Sequence, residues 1–489
     1  VSDKKRPPKA KIDIVAMKPF LEKIQQRAFA RIDIASLVFF RIVFGLLMVF
    51  EVCRYFKNGW ISSFWLEPRI LFKYYGFWWV HPWPGNWLYL HWGAIGLFAF
   101  FVAIGFLYRP CAVLMFASYA YFFLLDEVRY VNHTYLICLF SFLSIFVPAH
   151  RAFSIDSWLR PSLRSNTAPA WSLWLLRFQI GVVYFFAGLV KISPDWLRGE
   201  PIRFQLSQAA AATEIPQSLA NEGVVYFLSY GGMLFDLLVV PLLLWRRTRP
   251  AAFCVAVLFH LANAFWQPIG IFPWLAIAAT SLFLPPDWPR RILRALRIVR
   301  STSTPGANGS LLPPRAKRGL VLTGLAIYAA IQIFLPLRHL LWRGGIEWNW
   351  AEHRFSWRMF LVAYVSVAHF YVTDPNSGNS TAIDLTNFLT PRQIPNMGYL
   401  PDLPLQFAHY LAAAMPRRGP RPIQVQARIY VSINGRKPVL YLDPIVDLAA
   451  ENRPIGRPKW LRRNDEPLPP IEKRYQQDPL GSYFSDKSP

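Results

Sequence analysis

Cysteine is scarce in this sequence: there are four in 489 residues, Cys53, Cys111, Cys138 and Cys254, each in or beside an apolar run. No CxxC or Cys/His spacing accompanies them, which excludes the common zinc and redox motifs. None falls in the C-terminal third, so neither disulfides nor zinc is expected to hold that part together, and no metal is expected. Acidic residues are also few, 28 Asp and Glu against 53 Lys and Arg. Such an excess raises nucleic acid as a partner. The basic residues line no single soluble stretch, however, and no helix-turn-helix, zinc-finger or RNA-binding signature accompanies them, so no nucleic acid is expected. No cleavable signal peptide is visible: "VSDKKRPPKAK" is basic, but the stretch after it is amphipathic and has no small-residue cleavage site.

Charge as a whole is low, 17% of residues against 54% hydrophobic, and mean hydropathy is +0.24. The charges cluster, as in a chain whose long apolar runs are separated by basic loops. A bilayer core about 30 Å thick needs roughly 20 mostly apolar helical residues. Runs of that kind are expected near residues 35 to 53, 91 to 107, 110 to 126, 132 to 148, 171 to 192, 223 to 245, 250 to 266, 269 to 285 and 319 to 337. The fold class read from this is an α-helical polytopic membrane protein with about nine transmembrane helices, followed by a small mixed α/β extracytoplasmic domain. The boundaries are a basic amphipathic segment over 1–34, the membrane domain over 35–337, the outer domain over 338–451 and a Pro-rich charged tail over 452–489. In the outer domain "HFYVTDPNSGNSTAIDL" alternates and turns, "PLQFAHYLAAAMPRR" reads as a short helix, and "IQVQARIYVSINGRKPVLYLDP" reads as two strands joined at Asn434-Gly435.

The most basic connections are the N-terminus, "WRRTRP" at 245–250 and the stretch from Arg290 to Arg318, of which "STSTPGANGSLLPP" at 301–314 reads as a flexible link. With nine spans all three fall on one side, which puts the N-terminus in the cytoplasm and the C-terminal domain outside. Lys191, ending "FFAGLVK", then lies at the outer level, as do Asn132 and His133 of "VNHTYL" and His260 and Asn263 of "LFHLANAFW". Each has an ordinary structural explanation. An outer-end lysine snorkels to headgroups, a histidine bonds between helices, and Asn132 caps its helix. Arg41 and Glu51, in or at the end of the first span, are expected to pair with buried groups or to face the interior. Together, ionisable residues that are expensive in lipid and share one depth indicate a polar pocket opening outward. Their convergence in the membrane plane does not follow from depth.

Five ordered blocks carry a resemblance: "NHTYLICLFSFLSIFVPAHRAFSID", "RFQIGVVYFFAGLVKISPDWLRGEP", "FHLANAFWQPIGIFPW", "FLPLRHLLWRGGIEWNWAEHRFSWRMF" and "QARIYVSINGRKPVLYLDPIVDL". Over roughly residues 35 to 450 the chain resembles the vitamin K-dependent γ-glutamyl carboxylases and the wider HTTM membrane family that includes their bacterial relatives. The resemblance implies conversion of protein glutamate to γ-carboxyglutamate with CO2, O2 and reduced vitamin K, of the phylloquinol or menaquinol type, the quinol becoming the epoxide. It implies that Lys191 is the base that deprotonates the quinol and that oxygenation of the quinol anion yields a base strong enough for the γ-hydrogen. His133, with Asn132 before it, is implied in the later carboxylation step, and His260 and Asn263 in a polar motif beside the pocket. His353, Arg354, Trp357 and Arg358 of "HRFSWRM" are implied in substrate binding.

For that chemistry an exposed, protonated lysine is useless, and desolvation among "VVYFFAGLV" is expected to keep Lys191 neutral. An apolar cavity would also exclude water from reactive species. The quinone would come from membrane lipid, and the glutamate-containing polypeptide from outside, which is the periplasm for a bacterial inner-membrane protein and the lumen for one of the endoplasmic reticulum. Where the animal enzymes have two adjacent lysines this chain has Val190-Lys191. The cysteines offer no bridge between the domains, which leaves their attachment to packing. Two other readings remain open: an HTTM-family quinol-dependent enzyme with a different substrate, and a non-enzymatic lipid-binding or transport protein.

Overall fold

A computed structural model of the protein describes residues 14–267, 269–298, 313–341, 348, 353–416, 419–454, 456, 458–464, 466–468 and 470. The basic start, nearly all of the expected link at 301–314 and most of the tail beyond 452 lie outside the described residues.

Apolar helices occupy all the expected places: α1 (Ala35–Lys57), α2 (Trp87–Ile104), α3 (Tyr108–Leu125), α4 (Asn132–Phe146), α5 (Ala170–Leu189), α6 (Glu222–Leu244), α7 (Arg249–Trp266), α8 (Phe272–Thr280) and α9 (Arg315–Leu337). Seven are long and apolar enough to cross a membrane, while α4 and α8 are shorter apolar helices. A two-stranded sheet that the periodicity does not announce, β1 (Arg31–Asp33) with β2 (Thr167–Pro169), immediately precedes α1 and α5. It sets the starts of these two helices side by side. α5 is the hub, packing against α4, α6, α8 and α9.

Two ionisable groups inside the bundle find partners rather than facing lipid. Arg41 of α1 donates to the carbonyls of Ala149 at 2.8 Å and Phe153 at 2.5 Å, and Glu51 pairs with Arg54 at 2.5 Å.

The C-terminal part holds an antiparallel sheet in the order β4 (Asn379–Ile383), β3 (Tyr364–Asp374), β5 (Gln424–Ile433), β6 (Val439–Leu440). Every second residue of β5, Val425, Ala427, Ile429 and Val431, is buried, as one-sided packing of a pleated strand requires. The helix α10 (Asp402–Ala414) packs on the sheet and buries Leu403, Phe407 and Leu411. Asn434 and Gly435 have φ of 52° and 72°, and Arg436 N–H closes the turn onto Ile433 O at 3.1 Å. This is the turn whose backbone favours Asn-Gly.

Attachment of this part to the helices is polar and specific as well as packed. Phe72, from the loop between α1 and α2, is fully buried in the core of the sheet domain. Glu127, fully buried after α3, accepts from Arg354 at 2.6 Å, Arg453 at 3.0 Å and Gln406 of α10 at 2.9 Å. Asp195, after α5, accepts from Arg436 at 2.6 and 2.8 Å and from Asn434 at 2.8 Å. Burial raises the Asp195 carboxyl, but the bonds from Arg436 and Asn434 outweigh it and hold it below the usual carboxylate range.

Removing one member of a buried charge network strands the others. Glu127→Ala is therefore expected to cost about 3–5 kcal/mol in denaturant unfolding of the detergent-solubilised protein, and an unchanged midpoint would contradict this. Because the folded pKa of Asp195 is depressed, its stabilisation is complete above the unfolded value of about 3.9 and is lost as pH falls through the folded one. The stability gap between the native protein and Asp195→Asn should accordingly be constant at higher pH and shrink on acidification below that range.

Candidate functional site

α5 ends at Leu189 because Ser193 caps the next turn through Trp196 N–H at 3.4 Å and Pro194, at its first position, cannot continue the preceding helix. Lys191 lies in this break. Its side chain is buried, and Nζ turns back to donate to Ala187 O at 3.0 Å and to Asp236 Oδ2 of α6 at 2.7 Å. The Trp196 ring covers it, with its centroid 5.2 Å from Nζ. This is not the posture of a lysine reaching for headgroups.

Close approach of α5 and α6 makes the pair possible. A Cβ on Gly188 would lie 2.8 Å from Leu237 Cγ and 2.9 Å from Leu237 N, so only glycine lets the backbone carrying Asp236 come this near.

Lys191 and Asp236 line a cavity of about 260 Å³ together with His260, Asn263, Gln267 and the apolar Ile180, Val183, Phe259 and Phe272. His260 is buried, with Nε2 2.6 Å from Tyr184 OH, which is itself 2.8 Å from Thr280 Oγ1. Phe235, Phe259 and Phe272 meet the imidazole edge-on. Its Nδ1 has no hydrogen-bond partner among the described residues.

The other histidine goes elsewhere. His133 lines a second cavity of about 240 Å³ with Arg54, Arg129, Arg392 and a wall of aromatic rings. Ile269 lines the first cavity and Gly270 the second, so the two are separated at consecutive residues. Gly270 has φ of 62°, and a Cβ there would sit 2.9 Å from Arg54 Nη1.

Asn132 does not cap its helix. Its Oδ1 accepts from Tyr130 OH at 3.0 Å and its Nδ2 donates to Arg358 O at 2.9 Å, tying the start of α4 to the 353–360 segment. That segment carries left-handed backbone at Phe355, Trp357 and Phe360, with φ of 61°, 57° and 56°. For bulky side chains this is strained, and it persists only where surroundings over-determine it. Here Phe355 N–H donates to Tyr130 OH at 2.6 Å, and Trp357 is buried and stacks on Tyr135 at 5.0 Å. Met359 and Phe360 line the first cavity. Arg354 is engaged with Glu127, and Arg358 is buried. His353 packs edge-on against Tyr399, and burial, reinforced by Arg358, Arg354 and Arg338, pushes it well below the usual imidazole range.

The structure thus brings Lys191, His260 and Asn263 to one cavity and His133 to its neighbour, and it ties Asn132 to the 353–360 segment, whose Met359 and Phe360 line the first. Sequence reasoning missed Asp236, although a lone acid in "GGMLFDLLVV" carries the same signal as Lys191. It also missed Tyr184, Thr280 and the three arginines. Among the described residues no group of three or more His, Cys, Asp or Glu is placed to hold a metal ion.

Comparison with known proteins gives the family. Residues 29–288, a little over half the chain, match the family model described as the HTTM domain, and residues 317–466 match that of the lumenal domain of vitamin K-dependent gamma-carboxylase. No solved structure matches the chain.

A Cβ at position 188 must push α6 away. Gly188→Ala is expected to cost about 1–3 kcal/mol of stability and to raise the labelling rate of Lys191 by a small amine-reactive reagent, read by mass spectrometry. Unchanged labelling would contradict the role assigned to the close approach.

Proposed function

Because this chain belongs to the vitamin K-dependent γ-carboxylase family of HTTM-domain membrane proteins, we propose that it is a γ-glutamyl carboxylase that couples oxidation of reduced vitamin K to carboxylation of polypeptide glutamate. The observation that carries this reading is Lys191, buried and bonded to Asp236 in a largely apolar cavity. The lining suits a quinol: Phe259, Phe272 and the aliphatic Ile180 and Val183 match an apolar ring, and Lys191, Asp236, His260 and Asn263 offer polar groups to its two hydroxyls.

The bound quinol, with O2, would supply the driving force, one oxygen atom entering the epoxide and the other leaving as water. In this reading Lys191 Nζ takes the quinol proton, and Asp236 fixes the direction of the amine and shares the proton it gains. His260, which lines the chamber, is held through Nε2 by Tyr184 and Thr280. The phenyl walls exclude water, which strengthens every charge interaction inside. On glutamate the γ-hydrogen leaves as a proton and CO2 adds as a carboxylate, a step we assign to the His133 side, with Asn132 holding that side to the 353–360 segment.

The basic loops support a cytoplasmic N-terminus and an outward sheet domain. All nine apolar helices are assigned to the membrane, the shorter α4 and α8 being shielded by neighbours. Quinol then arrives from the lipid and the polypeptide from outside.

Purified protein incubated with reduced vitamin K, labelled CO2 and a glutamate-containing peptide should incorporate label into acid-stable product. Lys191→Ala should lose both incorporation and epoxide formation. Epoxide without label would indicate a different substrate, and undiminished epoxide formation in Lys191→Ala would sink the assignment of the base.

A further inference from the structure

The second cavity carries charge for which the reaction above gives no use. Arg54, Arg129 and Arg392 reach it from positions far apart in the sequence, and His133 faces it beside them. Arg54 is matched by Glu51. Arg129 and Arg392 are not: among the described residues neither has a carboxylate within ion-pair distance. Asp126 acts on Arg129, but its carboxylate accepts from Phe72 N–H at 3.2 Å and Val128 N–H at 3.1 Å and does not line the cavity. Both guanidiniums lie over one ring, that of Phe64, at 3.4 and 5.0 Å from its centroid.

Two neighbouring cations facing a small aromatic-walled space repel, and an anion between them converts that repulsion into charge-assisted hydrogen bonds. Guanidinium forks are shaped for carboxylate oxygens. Arg392 is exposed, which places one anchor at a rim reachable from solvent. Gly270 of its lining follows directly on Ile269, which lines the Lys191 cavity. A side chain held by its carboxylate here stands next to the chamber where its proton acceptor is made.

We propose that this cavity is a carboxylate-binding chamber that receives the substrate glutamate side chain, with Arg129 and Arg392 as its anchors. The proposal rests on the reaction assigned above and adds a consequence of its own. Two guanidiniums lacking carboxylate partners match a side chain with two carboxylates better than one with a single carboxylate, so the chamber holds product more tightly than substrate.

Short blocked peptides containing glutamine, glutamate or γ-carboxyglutamate, each carrying a fluorophore, test this by anisotropy with the full chain in nanodiscs. Affinity should rise in that order, by about tenfold from glutamine to glutamate, and both Arg129→Gln and Arg392→Gln should remove most of the difference. Should Arg129→Gln fail to fold, the exposed Arg392 supplies the variant. Equal affinity for glutamine and glutamate peptides, or variants that discriminate like the native protein, would overturn the proposal. Binding needs no turnover, so the two readings separate: discrimination without CO2 incorporation rejects the reaction and keeps the chamber, and incorporation without discrimination does the reverse.

Discussion

The contact between Lys191 Nζ and Asp236 Oδ2, 2.7 Å long and buried between α5 and α6, is the interaction around which the rest of the molecule is arranged. Neither group is tolerable alone in an apolar bundle, and each makes the other possible. The pair needs two backbones nearly in contact, which Gly188 permits, and a lysine that has left its helix, which the Ser193-Pro194 turn provides. It also needs a lid, supplied by Trp196, whose indole N–H is fixed to Ser229 O at 2.8 Å. The pair placed this way lines the cavity together with His260 and Asn263.

The sheet domain is coupled to that centre through short covalent paths. Asp195, four residues beyond Lys191, is gripped by the Asn434–Arg436 turn, so the hairpin of the sheet domain holds the loop that carries the lysine. Glu127 joins α10 and Arg453 to the turn that leads into Asn132 and His133. Between these clamps runs the 353–360 segment, whose left-handed residues are held by Tyr130 and Asn132 and whose end lines the Lys191 cavity. Polar bonds thus do what no disulfide does among the described residues, where all four cysteines are free.

Much of this was legible in the sequence, for identifiable reasons. Long apolar runs can be only a few things, so the helices fell where expected, and Asn434-Gly435 marked its turn because few other pairs accept positive φ twice. Lys191, His133 and His260 stood out because an ionisable residue in an apolar run is conspicuous. Position along each helix could be read as well. Azimuth could not: nothing in the local sequence says which way α4 and α7 are rotated, and so one polar layer proved to be two cavities. Attachment of the domains was left to packing because Glu127, Arg354, Arg453 and Asp195 look like ordinary loop charges until long-range contacts bring them together. Arg129 and Arg392 were invisible for the same reason, 263 positions apart by their numbers and joined only by the ring of Phe64.

The central claim is that the amine of Lys191 works only while Asp236 holds it. Quinol epoxidation by Asp236→Asn, measured in single turnover beside equilibrium quinone binding, tests it most directly. The account predicts a rate lower by about 10²-fold or more with quinone affinity little changed, because the carboxylate shares the transferred proton while the apolar walls bind the ring. A variant that forms epoxide at the native rate would contradict it.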